Sequence, residues 1–486
     1  MRSRSPTTLC SAYSPSRVLV LPKRAKRAPP SAERLARALA RIAGPQNVLT
    51  ESSRLEEYSE DMAGFRARPA VVARPLSESE VASIVRLARK MKVPIVPRGA
   101  GSSLTGAAVS KGAIILDLRR MDKVLKVDTV NWLARAQAGV TLEDLNKRLG
   151  KEGFFFPPDP ASSSICTLGG AIAEGSGGLR CVIYGTVKDW VVALRVVLPN
   201  GKVANFGEPL AKNRAGFDLV HLMVGSEGTL GIVTEAYLKI IPIPKTKTKR
   251  LLLTFDDWGS AGEAICGLRA AKITPHMFEF LDRGVVEALN KKLDANQDEA
   301  EATLIVDIEE ESLAKSLEIF NAFRPTKVVV SKDEEEAEAL YQIRAMAYLA
   351  IRDLAPAVQV EDISLPIDKL TDYLLKVKDV AARHKVRIVV NGHAGDGNVH
   401  PVILYDKSDR KSRAAAFRAF EEICRYGISV GGSVTGEHGV GAQKAKLLRE
   451  QLEAHEGGEA LRLMKEIKKA FDPDGIMNPG KYVEAA

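Results

Sequence analysis

Three of the seven histidines fall in two short, glycine-flanked segments. His393 and His400 lie in Asn391-Gly-His-Ala-Gly-Asp-Gly-Asn-Val-His-Pro401, and His438 lies in Thr435-Gly-Glu-His-Gly-Val-Gly441. Two imidazoles and the Glu437 carboxylate form a borderline-hard donor set suited to Zn²⁺, Mn²⁺ or Fe²⁺. The first segment lies between apolar runs 386–390 and 402–405, which read as strands. Asp396-Gly397 favours a tight turn, because glycine accepts positive φ at no steric cost. Doubling back there puts His393 and His400 on opposite arms of one hairpin. Asp396 itself reads as a turn former rather than a ligand.

The elements that must position these groups follow from the rest of the chain. Leu35, Leu39 and Ile42 recur at helical spacing up to Gly44-Pro45. Residues 70–73, a helix opened by the Ser77-Glu-Ser-Glu80 capping pattern, and residues 93–96 make a βαβ unit. The second strand runs into Pro97-Arg-Gly-Ala-Gly-Ser-Ser-Leu-Thr-Gly106, a loop able to turn several N–H groups onto a phosphate. Leu104 stands at the third glycine position and no lysine follows Gly106, so neither a dinucleotide fingerprint nor a Walker A loop is present. Residues 114–118 read as the next strand, and 133–138 as a continuation of the same sheet. Thr141 caps a helix up to Gly150.

Five glycines within 169–178 cost conformational entropy that suits close backbone approach to a bulky ligand rather than a core helix. Residues 191–206 read as a hairpin turning at Asn200-Gly201. A third glycine-rich segment, 224–235, leads into another strand. Ile241-Pro-Ile-Pro244 and the alternating Lys/Thr run after it mark a domain boundary. Beyond it, short strands alternate with helices, including one long helix over 333–353, as in helices layered on a mostly antiparallel sheet. The fold class is therefore α+β. The domains expected are a tail or leader (1–30), a first domain (31–244), a second (245–440) and C-terminal helices (441–486) that pack back on the first.

Composition narrows the function classes. Residues 1–30 hold seven Lys/Arg and no acid, against a net charge of +9 for the chain, so only +2 remains for the other 456 residues. That removes the case for nucleic-acid binding through bulk charge. The same Arg/Ser-rich leader reads as a disordered tail or a misplaced start, with organellar targeting as the alternative to a cytoplasmic protein. No apolar run approaches the ~18 residues that span a bilayer, so any membrane contact is peripheral. The five cysteines are scattered with no C-x-x-C pair, which argues against an iron–sulfur cluster or structural zinc and for a reducing compartment.

Six segments together, 97–106, 166–178, 225–235, 392–401, 431–444 and 471–481, resemble those of the FAD-linked 2-hydroxyacid dehydrogenases. This family includes glycolate oxidase flavin subunits and D-lactate dehydrogenases, and the resemblance runs in order through about residues 33–483. It implies a vanillyl-alcohol-oxidase-type FAD-binding domain with a substrate cap. The FAD contacts it implies are Pro97, Arg98, Gly99, Ala100, Gly101, Ser102, Ser103, Asp159, Ser164, Thr167, Gly169, Gly170, Ser176, Gly177, Glu227, Gly228, Ile232 and Asn478. Relatives with covalent flavin carry a histidine where this chain reads Gly101-Ser102-Ser103, so non-covalent FAD is expected. Where many relatives have Asn, this chain has Gly175-Ser176.

The same resemblance makes His393, His400 and Glu437 ligands of a divalent metal (Zn, Mn or Fe) and His438 the catalytic base. Arg344 would hold the substrate carboxylate, a task suited to a planar guanidinium, although an arginine on so acidic a helix ordinarily forms a surface ion pair. Val402 offers nothing to a second carboxylate, which favours glycolate or D-lactate over hydroxyglutarate. With no cysteine cluster, electrons would leave to an iron–sulfur subunit, a quinone or a diffusible acceptor; a homodimer is left open. Two alternatives stand beside this reading: a two-His-one-carboxylate metalloenzyme without flavin, and a non-catalytic flavin-binding subunit.

Overall fold

Ser31 opens the first helix, Ala32–Ala43, by accepting the N–H of Arg34, and Gly44 at φ +83° ends it. The computed structural model describes residues 30–294, 296–454 and 458–483; the tail or leader read over 1–30 falls outside them except for Pro30. Ser77 caps Glu78–Met91 through the N–H of Glu80, and the Glu80 carboxylate returns to the N–H of Leu76. This helix joins strands Val71–Ala73 and Ile95–Arg98. Both run parallel to Ile114–Asp117, which lies between them. Every residue of Val71–Ala73 and Ile114–Asp117 is buried, as parallel strands covered on both faces must be. The 97–106 loop thus leaves the carboxyl end of a parallel strand, where open α/β sheets bind ligands.

Leu133–Gln137 does not continue this sheet. It pairs antiparallel with Val124–Asp128 and with Ile232–Lys239, in a separate five-stranded sheet that also holds Val191–Val197 and Val203–Gly207. The four residues between Val124–Asp128 and Leu133–Gln137 allow only an antiparallel hairpin, because a parallel return needs a crossover of about a dozen. The segment 169–178 also departs from expectation. Thr167 caps a short helix, Leu168–Glu174, and the irregular backbone begins only at Gly175, φ +70°. Gly169 makes this packing possible: a Cβ there would meet Ala138 Cβ at 2.7 Å.

The second half is built on an antiparallel sheet. Its order is Lys327–Val330, Thr248–Phe255, Ala302–Glu309, Met277–Asp282, Arg387–His393, Asn398–Tyr405, Ala357–Val360, with Ile363–Ser364 beside Asn398–Tyr405. The pleat sorts side chains to two faces. Phe278, Phe280, Val390, Val399 and Ile403 enter the larger core, among helices Trp258–Ala270, Leu370–His384 and Arg410–Ser429. Met277, Leu281, Val389, Val402 and Val360 face the other side, against Arg283–Leu293 and Ala347–Arg352. The expected long helix over 333–353 is two helices, Glu334–Ala345 and Ala347–Arg352, broken at Met346 where ψ is −3°.

The C-terminal helices Ala445–Ala454 and Glu459–Phe471 touch both halves. Leu447 and Leu461 join the larger cap core, while Ile467 and Phe471 pack against the five-stranded sheet's core. Met477 then bridges Ile95 in parallel, adding the chain's end to the edge of the first sheet.

The hairpin Arg387–Tyr405 depends on Gly397 at its tip. Gly397 has φ +80°, and a Cβ there would overlap the Leu365 carbonyl oxygen. Gly112, at φ +70°, has open space around it. Gly112→Ala is expected to cost about 1 kcal/mol for the left-handed backbone alone. Gly397→Ala adds a clash and should cost on the order of 3 kcal/mol. Calorimetric unfolding of the two variants checks this, and equal losses would show that the hairpin tip yields.

Candidate active site

The alternation that builds the cap sheet also assembles the site. Glu279 is the direct cross-strand partner of His393, His393 of Asn398, and Asn391 of His400. All five therefore stand on the face that carries Val402 and Val360, and that face looks towards the first half of the chain. Between the halves lies a cavity of about 410 Å³, within the usual range for ligand sites.

On the first-half side, the cavity is lined by Pro97, Arg98, Gly99, Ala100, Gly101, Ser102, Ser103, Ser164, Thr167, Gly169, Gly170, Ser176, Glu227 and Gly228. Among the described residues, none of the main-chain N–H groups from Gly99 to Leu104 donates to a protein acceptor. Consecutive free N–H groups beside a cavity suit a pyrophosphate, so the loop fits FAD. Gly99 is required there, since a Cβ would overlap Thr167 Oγ1.

Four residues expected at the cofactor do not line the cavity. Ile232 is buried in the first-half core. Asn478 donates to Ala107 O at 3.0 Å and Glu227 O at 2.8 Å. Asp159 accepts from the Arg180 N–H at 3.1 Å, and Gly177 lies against Glu437, where a Cβ would be 2.7 Å from Oε2. Two that do line it send their polar groups elsewhere. Arg98 donates to Ala108 O and Glu60 O, and the Glu227 carboxylate accepts the N–H groups of Val440 (2.6 Å) and Gly441 (2.8 Å).

On the cap side, the cavity meets Arg344, His393, His400, Glu437 and His438. One oxygen, Glu437 Oε1, lies 3.0 Å from His393 Nε2, 3.3 Å from His400 Nε2 and 3.7 Å from His438 Nε2. Donors about 2.0–2.2 Å from one ion sit about 3.0–3.5 Å from each other, so His393, His400 and Glu437 are spaced as ligands of a single metal. Both ring nitrogens of buried His400 lack a hydrogen-bond partner. A buried unpaired imidazole is costly, and a metal at Nε2 would satisfy it. The residues present fit a divalent ion.

Behind the imidazoles stand two fully buried carboxylates. Glu279 contacts His393 Nδ1 at 2.8 and 3.0 Å and accepts from Arg344 Nε at 2.6 Å. Burial would raise its pKa, but the His393 and Arg344 cations hold it below the usual range. Burial likewise opposes charge on His393, yet Glu279 and Glu437 raise it well above an ordinary imidazole. Arg344 is 4% exposed, so it is not the surface ion pair that its acidic helix allows.

Asp362 holds the second loop. Its oxygens accept the N–H groups of Gly436 (3.1 Å), Glu437 (3.3 Å) and His438 (2.9 Å), the Thr435 hydroxyl (2.5 Å) and Asn398 Nδ2 (2.9 Å). They also lie 3.6 Å from His400 Nδ1 and 4.0 Å from His438 Nδ1. Burial would raise this carboxyl, but His438, Lys444 and His400 keep it at about 2. His438 stacks on His400 with centroids 4.7 Å apart. Burial pushes its imidazole down to about 4 against the pull of Asp362, which favours its neutral form.

Sequence reasoning missed Glu279 and Asp362. For Glu279 the available signal was a carboxylate inside an otherwise apolar strand, Met277-Phe-Glu-Phe-Leu281, which demands a buried cation; Asp362, in the gap between strands Ala357–Val360 and Ile363–Ser364, had no such signal. Lys444 is also buried, 3.1 Å from Glu361. His221, His276 and His384 pair with Asp218, Glu309 and Glu422 away from the cavity.

Comparison with known proteins agrees with this geometry. The family model described as FAD linked oxidases, C-terminal domain, matches residues 244–482, and an FAD binding domain model matches 69–207. The glycolate oxidase subunit GlcD of Bacillus subtilis is 37% identical over 91% of this chain and 95% of its own length. A D-lactate dehydrogenase of Archaeoglobus fulgidus is 32% identical over 89% of this chain and 96% of its own. Among solved structures, p-cresol methylhydroxylase matches with a TM-score of 0.76 and Gulosibacter chungangensis 4-ethylphenol oxidase with 0.74. Each covers 92% of this chain and 96% of its own at 18% identity, which establishes the vanillyl-alcohol-oxidase-type fold alone. An FAD-binding half closed by this cap rules out the flavin-free metalloenzyme, and the chain belongs to the FAD-linked oxidase family, as an FAD-dependent oxidoreductase of the 2-hydroxyacid dehydrogenase type.

Proposed function

We propose that this protein oxidises a small 2-hydroxyacid, glycolate or D-lactate, to the 2-oxoacid. The observation that carries this reading is the grouping of a neutral imidazole, a two-histidine-one-carboxylate set and a buried arginine on one wall of the FAD cavity. FAD, bound non-covalently, supplies a two-electron acceptor, and a divalent ion (Zn, Mn or Fe) on His393, His400 and Glu437 makes a bound hydroxyl more acidic.

Arg344 binds and orients the substrate carboxylate. Its Nε is committed to Glu279, while its terminal nitrogens have no protein acceptor among the described residues. His438 accepts the hydroxyl proton as C2 is oxidised. Val402 and its cross-strand partner Val360 line the cavity on the same face. They favour hydrogen or methyl at C2 over a second carboxylate, whose burial without a partner is costly. The four described cysteines are free and separated, and no described helix is long and apolar enough to cross a membrane. Electrons therefore pass to a separate acceptor, such as an iron–sulfur subunit or a quinone.

Anaerobic mixing with D-lactate or glycolate is expected to bleach the flavin absorbance, and 2-hydroxyglutarate to bleach it far more slowly. A protein that holds FAD yet is bleached by no 2-hydroxyacid would be the non-catalytic subunit instead. His438→Ala should keep its FAD and lose about 10²–10⁴-fold in bleaching rate; an unchanged rate removes His438 from the reaction. Dialysis against a chelator should leave FAD bound and abolish bleaching, with recovery on adding one of Zn²⁺, Mn²⁺ or Fe²⁺. Full activity in the chelated protein would remove the metal.

A further inference from the structure

Glu279 is 0% exposed and directly opposite His393 in the sheet register. Its two oxygens serve two different functional groups. Oε1 and Oε2 lie 2.8 and 3.0 Å from His393 Nδ1, and Oε2 accepts from Arg344 Nε at 2.6 Å. A carboxylate in that place fixes the tautomer of the ring in front of it. With Nδ1–H donated to Glu279, Nε2 is the nitrogen turned to Glu437, 3.0 Å away, and to the position a metal would take. The same carboxylate holds the guanidinium by its inner nitrogen, which fixes the plane in which its terminal nitrogens meet the cavity.

We propose that Glu279 is a positioning residue that ties metal binding at His393 to substrate-carboxylate recognition by Arg344. Without it, His393 can rotate or change tautomer and Arg344 loses its anchor, so both functions weaken together. The inference rests on the 2-hydroxyacid reading above and extends it by one residue.

A purely structural carboxylate would affect folding but not a metal dissociation constant, which makes metal affinity the deciding readout. Zn²⁺ or Mn²⁺ affinity is measured on FAD-loaded protein by competition with a chromophoric chelator. Wild type must bind the ion and be bleached by a 2-hydroxyacid; if it does neither, the functional reading fails and not this one. Glu279→Gln keeps the size but removes the charge, and Glu279→Asp keeps the charge but draws it back from His393. Both are expected to retain FAD, to bind the metal about 10–100-fold more weakly, and to show a KM for the 2-hydroxyacid raised about tenfold or more. Arg344→Gln should raise KM with metal affinity within about threefold of wild type. Wild-type metal affinity in either folded Glu279 variant overturns the proposal. So does loss of fold in both, which would assign Glu279 to the core alone.

Discussion

Burying charge in a small volume obliges every charge to find its opposite, and the cap of this protein is arranged by that requirement. Glu279 and Asp362 are fully buried, yet both are held ionised: Glu279 by His393 and Arg344, Asp362 by His438, Lys444 and His400. Stripping Glu279 of both His393 and Arg344 would leave an uncompensated buried charge, at about 3–5 kcal/mol. The site is therefore a closed network. Within it both ring nitrogens of buried His400 lie near carboxylates, 3.3 Å from Glu437 and 3.6 Å from Asp362, without a hydrogen bond.

The same requirement governs the seam between the halves. The loop carrying Glu437 and His438 is gripped at both ends by carboxylates, with Asp362 of the cap on residues 436–438 and Glu227 of the FAD half on residues 440 and 441. Burial pushes Glu227 to about 7 even with these N–H donors. Glu174, which also lines the cavity, is raised well above the usual carboxyl range by burial and then by Glu227's charge. A Cβ on Gly439 would overlap Glu174 Oε2 and lie 2.9 Å from Glu227 Oε1, so only glycine lets the loop pass both carboxyls. His438 is thus placed by both halves at once, and a shift of one against the other would move its imidazole.

What was legible beforehand had a local cause. Ser77 and Thr141 cap where their patterns say, because capping needs only a side chain and the next turn. The 391–401 hairpin was readable because Asp396-Gly397 is a local turn signal and strand alternation then puts His393 and His400 on one face. What was illegible depended on distant partners. The short link before Leu133 sets its antiparallel pairing with Val124–Asp128, but its other neighbour, Ile232–Lys239, lies about a hundred residues on. Ala345-Met346-Ala347 holds no Gly or Pro to announce a helix break. Glu227 was read as a flavin-side residue because its loop is, yet its carboxylate turns to residues more than two hundred positions away.

The helix break shows why such non-local features are functional. Ala347, Ala350 and Ile351 pack with Val285, Val286 and Leu289 on the sheet's cavity-side face, which fixes Ala347–Arg352 as part of the wall. On one side of the break at Met346, Arg344 in the last turn of Glu334–Ala345 reaches Glu279, and Ala345, Tyr348 and Leu349 line the cavity across it. The Arg344–Glu279 ion pair on one side of the break and the apolar contacts of Ala347–Arg352 on the other are satisfied together. Core packing and the placement of Arg344 are therefore not separable in this wall: the residues that seal the cap flank the arginine on the cavity.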